Sequence, residues 1–199
     1  MTGEKNDDMR YGNYFFPTLE KYDMSTVKIE DKGLERYISL DIKDFFLGAP
    51  HANKLFGKSK SSILERLINN MMRTEHFTGK KTKAYKVVRS AIEIIEKKTK
   101  SNPVQVIVDA IQNAAPKEET TRLRFGGILV PKAVDVAPQR RLDIALRNLC
   151  KGSINASHKN KKSIEACLAD EIIKASKNDP NSFAIAQKNE IERVARSAR

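Results

Sequence analysis

The chain has 199 residues, enough for one domain of ordinary size with an extension, and it carries a formal net charge of +12. A surface this basic favours a polyanionic partner, and no apolar run approaches the ~20 residues needed to cross a bilayer. Cys150 and Cys167 form no Cys-x-x-Cys pair and no zinc pattern with His51, His76 or His158, which are far apart along the chain. We therefore expect two reduced core thiols, a cytoplasmic location, and no metal, cofactor or membrane partner.

Positive charge is unevenly distributed along the chain. Residues 1–50 carry seven basic and ten acidic side chains, whereas residues 51–100 carry 13 basic and four acidic ones. Residues 101–150 hold seven basic and five acidic side chains, and residues 151–199 hold ten and six. We therefore expect the binding surface to be built around residues 54–100, with contributions from later segments.

Residues 1–57 lack a sustained apolar periodicity, so they are predicted to form an extended N-terminal arm rather than a second domain. Aromatic residues occur there in short clusters around Phe15 and Phe45, with Pro17 as a breaker. A strand is predicted over residues 26–29. The arm is expected to dock on the domain or on a partner.

Three helices are predicted in the first part of the following domain. The first begins near Ser62, where Ser62 and Glu65 match a capping box before an apolar run. The second covers about residues 80–98 and has one apolar face and one lysine-rich face. The third begins at Asn102, a good cap that is followed by a proline suited to the first helical position, and it ends before Pro116.

The convincing β pattern lies at about residues 119–137. Residues 122–125 alternate basic with apolar side chains, and Gly126 and Gly127 permit a tight reversal before a β-branched run. Pro131 is tolerable only on an edge strand. The pattern predicts a two-stranded ribbon, which is marginal by itself in water and is therefore expected to project from the helices and to be held by a partner.

Three more helices are predicted to begin at Pro138, after Ser163 and near Asp179. The predicted fold class is therefore mainly α. A six-helix domain over residues 58–199 carries a protruding two-stranded β-ribbon between its third and fourth helices, and an extended arm precedes it.

No motif in the sequence predicts a catalytic site. The pair Gly126–Gly127 lacks the phosphate-loop pattern, because no Gly-Lys follows at the required spacing and no helix begins there. Carboxylates occur singly on helices near lysines, and Glu190 with Arg193 is typical of a solvated helix surface. The sequence therefore favours a binding protein over an enzyme.

Two pairs of arginines are candidate phosphate contacts. Arg122 and Arg124 point to the same side of the ribbon, although a charged edge that prevents strand pairing is an alternative interpretation. Arg140 and Arg141 lie in the first turn of a helix, where the macrodipole disfavours each cation by about 0.3–1 kcal/mol. They suit a phosphate, and the alternative is a set of local salt bridges, for example to Asp143.

Lysines supply the remaining candidate contacts, because a point charge on a long stem suits phosphate contacts that do not depend on sequence. A merely solvated surface is the alternative for all of them. The main group is Lys58, Lys60, Lys80, Lys81, Lys83 and Lys86 with Lys132 on the ribbon, and a second group in the loop before a helix is Lys159, Lys161 and Lys162.

Several segments, taken in order, resemble the universal small-subunit ribosomal protein seven family in its archaeal and eukaryotic branch. The resemblance covers roughly residues 27–199 and is most specific around the ribbon. The segments that carry it include 62–73 (SILERLINNMMR), 102–111 (NPVQVIVDAI), 124–127 (RFGG), 134–141 (VDVAPQRR) and 182–185 (SFAI).

The resemblance implies a protein that binds the 3′ major domain of small-subunit ribosomal RNA and helps to nucleate assembly of the head. It also implies a place near the messenger exit path and the exit-site transfer RNA, with neighbouring head and platform ribosomal proteins as partners. The RNA contacts that it implies by motif are Arg122, Arg124, Arg140 and Arg141 around the ribbon base, and Lys58, Lys60, Lys80 and Lys81 at the first helices.

Two other functions are compatible with a basic helical protein. A DNA-binding regulator would need a helix with Asn, Gln and Arg clustered on one face, and no predicted helix carries such a cluster. An enzyme that acts on RNA would need a catalytic group, for which His76 and His158 are the candidates.

Overall fold

The computed structural model describes Tyr22, residues 24–40 and residues 52–199, together with the backbone of two short paired strands, β1 (Asn13–Tyr14) and β2 (Phe45–Phe46). The rest of the predicted arm, including the aromatic residues next to these strands and His51, lies outside the described residues. The division of the chain at residue 57 stays a prediction.

All six predicted helices are present in the described part of the chain, and a short helix precedes them. In chain order the helices are α1 (Lys32–Glu35), α2 (Ile63–Met72), α3 (Lys81–Thr99), α4 (Pro103–Ala114), α5 (Pro138–Ser157), α6 (Ile164–Ser176) and α7 (Phe183–Ser197). A 3₁₀ turn at Gly57–Lys60 precedes α2, and the ribbon strands β3 (Glu118–Phe125) and β4 (Ile128–Asp135) lie between α4 and α5. The predicted fold class is therefore confirmed.

The core lies among the helices and is almost wholly aliphatic. Helix α6 packs against α3, α4 and α5, and α2 packs against α3 and α5. Leu64, Ile95, Ile107 and Leu146, from four different helices, are each at most 1% exposed. Each helix buries the face on which apolar residues recur with the 3.6-residue period. None of the described helices combines the length and apolar character that a membrane span requires.

Both cysteines are free and buried in this core, as predicted. Cys150 lies on the inner face of α5, with its Sγ 3.8 Å from the carbonyl oxygen of Leu67. Burial disfavours the thiolate and raises the pKa of the Cys150 thiol to about 12. The side chain is therefore a small apolar group in this fold rather than a nucleophile.

Helix α4 begins as its sequence predicts, whereas the capping box predicted for α2 is wrong. The Asn102 side chain accepts a hydrogen bond from the Val104 N–H at 3.0 Å, ahead of Pro103. At α2, by contrast, the Ser62 hydroxyl is buried and has no hydrogen-bond partner among the described residues. Glu65 pairs with Lys81 on α3 instead of reaching back to Ser62, because a buried ammonium group competes for the same carboxylate.

Helix α7 begins three residues later than the predicted start at Asp179–Pro180. The Asp179 carboxylate accepts hydrogen bonds from the backbone and side-chain nitrogens of Asn181, at 2.8 and 2.9 Å, and so stabilises a turn rather than a helix start. Ser182 is the cap, since its hydroxyl accepts from the Ile185 N–H and donates to Glu171 at 2.7 Å.

Residues 26–29 do not form the predicted strand: Thr26 lies in a turn, and residues 27–29 have no regular secondary structure and lie against α4. The Gln105 side chain holds them, because its amide nitrogen donates to the Lys28 carbonyl oxygen at 3.0 Å and its oxygen accepts from the Lys28 N–H at 2.8 Å. A side-chain amide therefore takes the place of a neighbouring strand. Leu34 and Ile38, further along, are buried in the main core.

The ribbon closes through the two-glycine turn that the sequence predicts. Gly126 and Gly127 both have positive φ, 53° and 90°, as a type I′ hairpin turn requires. In such a hairpin the residues next to the turn form a hydrogen-bonded pair, and the pairs then alternate. Pro131, opposite Arg122, falls in a pair whose backbone groups point outward, so it removes no hydrogen bond from the ladder.

The base of the ribbon rests on α7 within the chain itself. The Lys117 N–H donates to the Glu192 carboxylate at 3.0 Å, and the Ala133 N–H donates to the Ala198 carbonyl oxygen at 3.3 Å. The tip is not covered in the same way, since Ile128 is 70% exposed. The ribbon therefore projects from the helices, as predicted, from a base that α7 supports.

Gly152 allows α5, α6 and α7 to approach closely, and Gly152→Ala is expected to destabilise the chain. A methyl group there would lie 2.9 Å from the Glu171 carboxylate and 2.9 Å from Cβ of Phe183. Overpacking costs about 1–3 kcal/mol, whereas Gly→Ala normally stabilises a helix by about 1 kcal/mol. A lower urea midpoint would therefore confirm the close contact, and a raised midpoint would contradict it.

Candidate nucleic-acid interface

A row of three cations lies along the exposed side of α5. Arg140, Arg147 and Lys151 are all exposed, and at 3.6 residues per turn they fall within about 40° of each other around the helix axis. At 1.5 Å per residue the row is about 16 Å long. The opposite side of α5 is buried in the core, so the helix holds these side chains on a rigid support. We call this row the α5 basic face.

Lys58 joins the α5 basic face near its first turn. Asp143, one turn along α5 from Arg140, accepts a hydrogen bond from Arg66 at 2.9 Å and contacts Lys58 as well. The Arg66 side chain is only 5% exposed and also donates to the Tyr37 carbonyl oxygen. The Asp143 carboxylate thus contacts two cations, and its contact with Lys58 holds the 3₁₀ turn beside the start of α5.

The other end of α5 meets the loop between α2 and α3. The rings of His76 and His158, far apart along the chain, lie 6.1 Å apart between centroids. Glu75 is the nearby carboxylate, 3.7 Å from His76 Nε2. No group of three or more potential metal ligands occurs within the described ranges, so this pair gives no sign of a metal centre. Its effect is to bring the loop that contains Lys80 beside the end of α5.

Arg140 is paired inside the chain but remains accessible. Its Nε lies 2.7 Å from a Glu119 carboxylate oxygen at the ribbon base, and its side chain is 61% exposed. The hydrogen bond and the charge of Glu119 raise the pKa of Arg140 above its usual value. The alternative prediction for Arg140 was a local salt bridge, for example to Asp143. In the structure its salt-bridge partner is Glu119.

Arg141, by contrast, is buried and joins three parts of the fold. Its Nη2 donates to the Asp31 carboxylate at 2.7 Å and its Nε donates to the Pro116 carbonyl oxygen at 3.1 Å, while the residue is only 8% exposed. It therefore fixes α1 and the end of α4 against the start of α5. The predicted contact with RNA has little free surface on which to form.

Lys81, like Arg141, is largely buried in an ion pair. Its Nζ lies 3.0 Å from Glu65, and the two side chains are 10% and 5% exposed. The pair holds α2 against α3, which is a role inside the fold. The neighbouring predicted contacts Lys80, Lys83 and Lys86 are exposed, and Lys83 lies over the Phe77 ring with its Nζ 5.4 Å from the centroid.

The ribbon separates its predicted contacts between two faces. Side chains alternate along a strand, so Arg122 and Arg124 lie on one face, whereas Glu119 and Lys132 lie on the other. Because Arg140 pairs with Glu119, the face that carries Lys132 adjoins the α5 basic face. The two ribbon arginines are exposed and belong to the opposite face.

The remaining predicted contacts also lie on the surface. Lys60 follows Lys58 in the 3₁₀ turn and is exposed. Lys159, Lys161 and Lys162 are exposed in the loop between α5 and α6.

Sequence analysis missed two members of the α5 basic face, Arg147 and Lys151. They follow Arg140 by seven and eleven residues, a spacing that returns to the same side of a helix. That spacing could have identified both, because Leu142, Ala145, Leu146 and Leu149 recur on the opposite side of the same helix and mark it as the buried face.

The chain that carries this surface matches a known family of ribosomal proteins. The sequence model described as Ribosomal protein S7p/S5e matches residues 48–199. The chain belongs to this family. It is 58% identical to small ribosomal subunit protein uS7 of Archaeoglobus fulgidus over 180 residues, which are 90% of this chain and 93% of that relative. It is also 56% identical to protein uS7 of Picrophilus torridus over 182 residues, which are 91% and 97% of the two chains.

Both relatives are archaeal, and both are nearly covered by the alignment, so the family and the branch predicted from the sequence are confirmed. The S7p/S5e match includes all of α2 to α7 and the ribbon. The α5 basic face therefore lies wholly inside the region that defines the family.

Proposed function

We propose that this chain is a structural constituent of the small ribosomal subunit in the cytoplasm, where it binds the 3′ major domain of the ribosomal RNA and nucleates assembly of the head. The α5 basic face is the observation that carries this proposal. It presents Arg140, Arg147 and Lys151 in one row on a helix whose other side is fixed in the core. The family resemblance supports the choice of RNA domain.

Binding follows from charge neutralisation on a rigid support. Arginine offers a planar fork that fits a phosphate with two hydrogen bonds, and lysine offers a point charge. Each phosphate that a cation neutralises releases counterions, so the free energy of binding depends steeply on salt. Because the core fixes α5, little ordering of the backbone is needed when RNA binds.

The ribbon supports a place near the exit-site transfer RNA and the messenger exit path. It projects from the helices and carries the exposed cations Arg122 and Arg124 on one face and Lys132 on the other. Its tip exposes the apolar side chains of Ile128 and Leu129, which suit a neighbouring head or platform ribosomal protein. The function requires no catalytic residue, metal or cofactor.

The proposal is tested by filter binding of the full chain to a transcript of the 3′ major domain over a range of salt concentrations. If about six phosphates are contacted, the affinity should fall about a thousandfold between 50 and 200 mM salt. The control ligands are a transcript of another rRNA domain of equal length and a duplex DNA. An affinity that does not change with salt, or equally tight binding to the DNA, would contradict the proposal.

A further inference from the structure

Lysines from two distant parts of the chain meet at one carboxylate on the side formed by α3 and α6. Lys98, near the end of α3, lies 2.5 Å from one oxygen of Asp170 on α6. Lys162, in the loop before α6, lies 3.5 Å from the other oxygen. Burial opposes ionisation, but the hydrogen bonds and charges of the two lysines outweigh it and hold the pKa of Asp170 below its usual value.

This side of the molecule keeps a surplus of positive charge, because its lysines outnumber Asp170 and the neighbouring carboxylates Glu96 and Glu165. Further exposed lysines lie around the contact: Lys97 and Lys100 follow one another closely at the end of α3, and Lys174 is one helical turn beyond Asp170. We call this group the α3–α6 lysine surface; its members are Lys97, Lys98, Lys100, Lys161, Lys162 and Lys174.

The chemistry of this surface suits a polyanion better than a protein. Protein interfaces have an apolar centre and are depleted in lysine. The large apolar side chains that are exposed in the described part of the chain lie elsewhere, at residues 55–56, at the ribbon tip and at Val194. A lysine-rich surface without an apolar centre fits a sugar–phosphate backbone, with point charges that do not read sequence.

The loop between α5 and α6 connects the end of the α5 basic face to the α3–α6 lysine surface. That loop starts at His158, beside His76, and reaches Lys162, beside Lys98, within five residues. We propose that the α3–α6 lysine surface is a second RNA-binding surface, which holds the backbone of the same ribosomal RNA where it continues beyond the α5 basic face. This inference rests on the proposed function and extends it to residues that the family resemblance does not name.

The test compares two variants of the full chain that lose the same charge. The first carries Lys97→Gln, Lys100→Gln and Lys174→Gln, three exposed positions on the proposed surface. The matched control carries glutamine in place of three exposed lysines elsewhere, Lys28, Lys32 and Lys117. Filter binding to the 3′ major domain transcript is measured for both over a range of salt, and thermal unfolding verifies that both remain folded.

The surface variant should lose about two to three units of the log–log salt slope and bind at least about tenfold more weakly at 0.15 M salt, while the control changes little. Equal effects in the two variants, or an unchanged slope in the first, would overturn the inference. A third variant, Arg147→Gln with Lys151→Gln, separates the two proposals. If it weakens binding while the lysine-surface variant behaves as the control does, the second surface alone is wrong; if neither has an effect, the proposed function itself fails.

Discussion

Replacement of Arg140, Arg147 and Lys151 by glutamine is expected to weaken binding to small-subunit ribosomal RNA about a hundredfold at physiological salt. The three side chains form one row on a fixed helix, so each is positioned to neutralise a phosphate. Three lost phosphate contacts should reduce the magnitude of the salt slope by about two to three. Filter binding at several salt concentrations measures both quantities, and the exposed positions leave the core intact.

A charge-conserving variant, Arg140→Lys with Arg147→Lys, is the matched control. It keeps every positive charge, so its salt slope should equal that of the unaltered chain. Its affinity should fall only modestly, because lysine cannot form the two parallel hydrogen bonds that a guanidinium group offers a phosphate. A triple-glutamine variant with an unaltered slope would show that RNA binds elsewhere.

Arg141→Met is expected to lower the free energy of unfolding by about 2–3 kcal/mol, between the cost of breaking an exposed ion pair and that of breaking a fully buried one, because the Asp31 side chain is 27% exposed. The substitution leaves the Asp31 carboxylate and the Pro116 carbonyl oxygen without the donor that now serves them. Urea unfolding of the free chain measures the change. Arg140→Met is the control, since the exposed pair with Glu119 should contribute no more than about 1 kcal/mol.

The same variant should change how stability responds to acid. Burial raises the pKa of Asp31, but the hydrogen bond and charge of Arg141, with the Gly33 N–H, outweigh it and hold that pKa below its usual value. A carboxylate with a lowered pKa in the folded state stabilises the fold above its ordinary pKa, and the stabilisation is lost as the pH falls through the lowered value. Without Arg141 this loss below about pH 4 should shrink; an acid response identical to that of the unaltered chain would contradict the assigned role.

Elements with complete local signals were predictable from the sequence. Asn102 and Pro103 define the start of α4 without help from the rest of the chain, and the two glycines define the ribbon turn. Signals that compete with distant partners were misleading. Glu65 matched a capping box, yet its carboxylate pairs with Lys81, and the sequence 62–65 does not contain that information.

The candidate site was partly predictable for the same reason. Exposure of Arg140, Arg147 and Lys151 follows from the helical period alone once the apolar stripe of α5 is known. The burial of Arg141 does not, because its partner Asp31 is 110 residues away in the chain. Two adjacent arginines therefore have different roles: Arg140 is an exposed cation, and Arg141 forms a largely buried ion pair inside the fold.

Pro131 governs how the projecting hairpin behaves toward other molecules. Its nitrogen faces away from β3 and carries no hydrogen, so the outer margin of β4 lacks one donor near its middle. An incoming strand from a second copy would meet that gap and could not extend a continuous sheet along β4. The proline ring therefore opposes edge-to-edge pairing of a protruding hairpin whose tip is apolar.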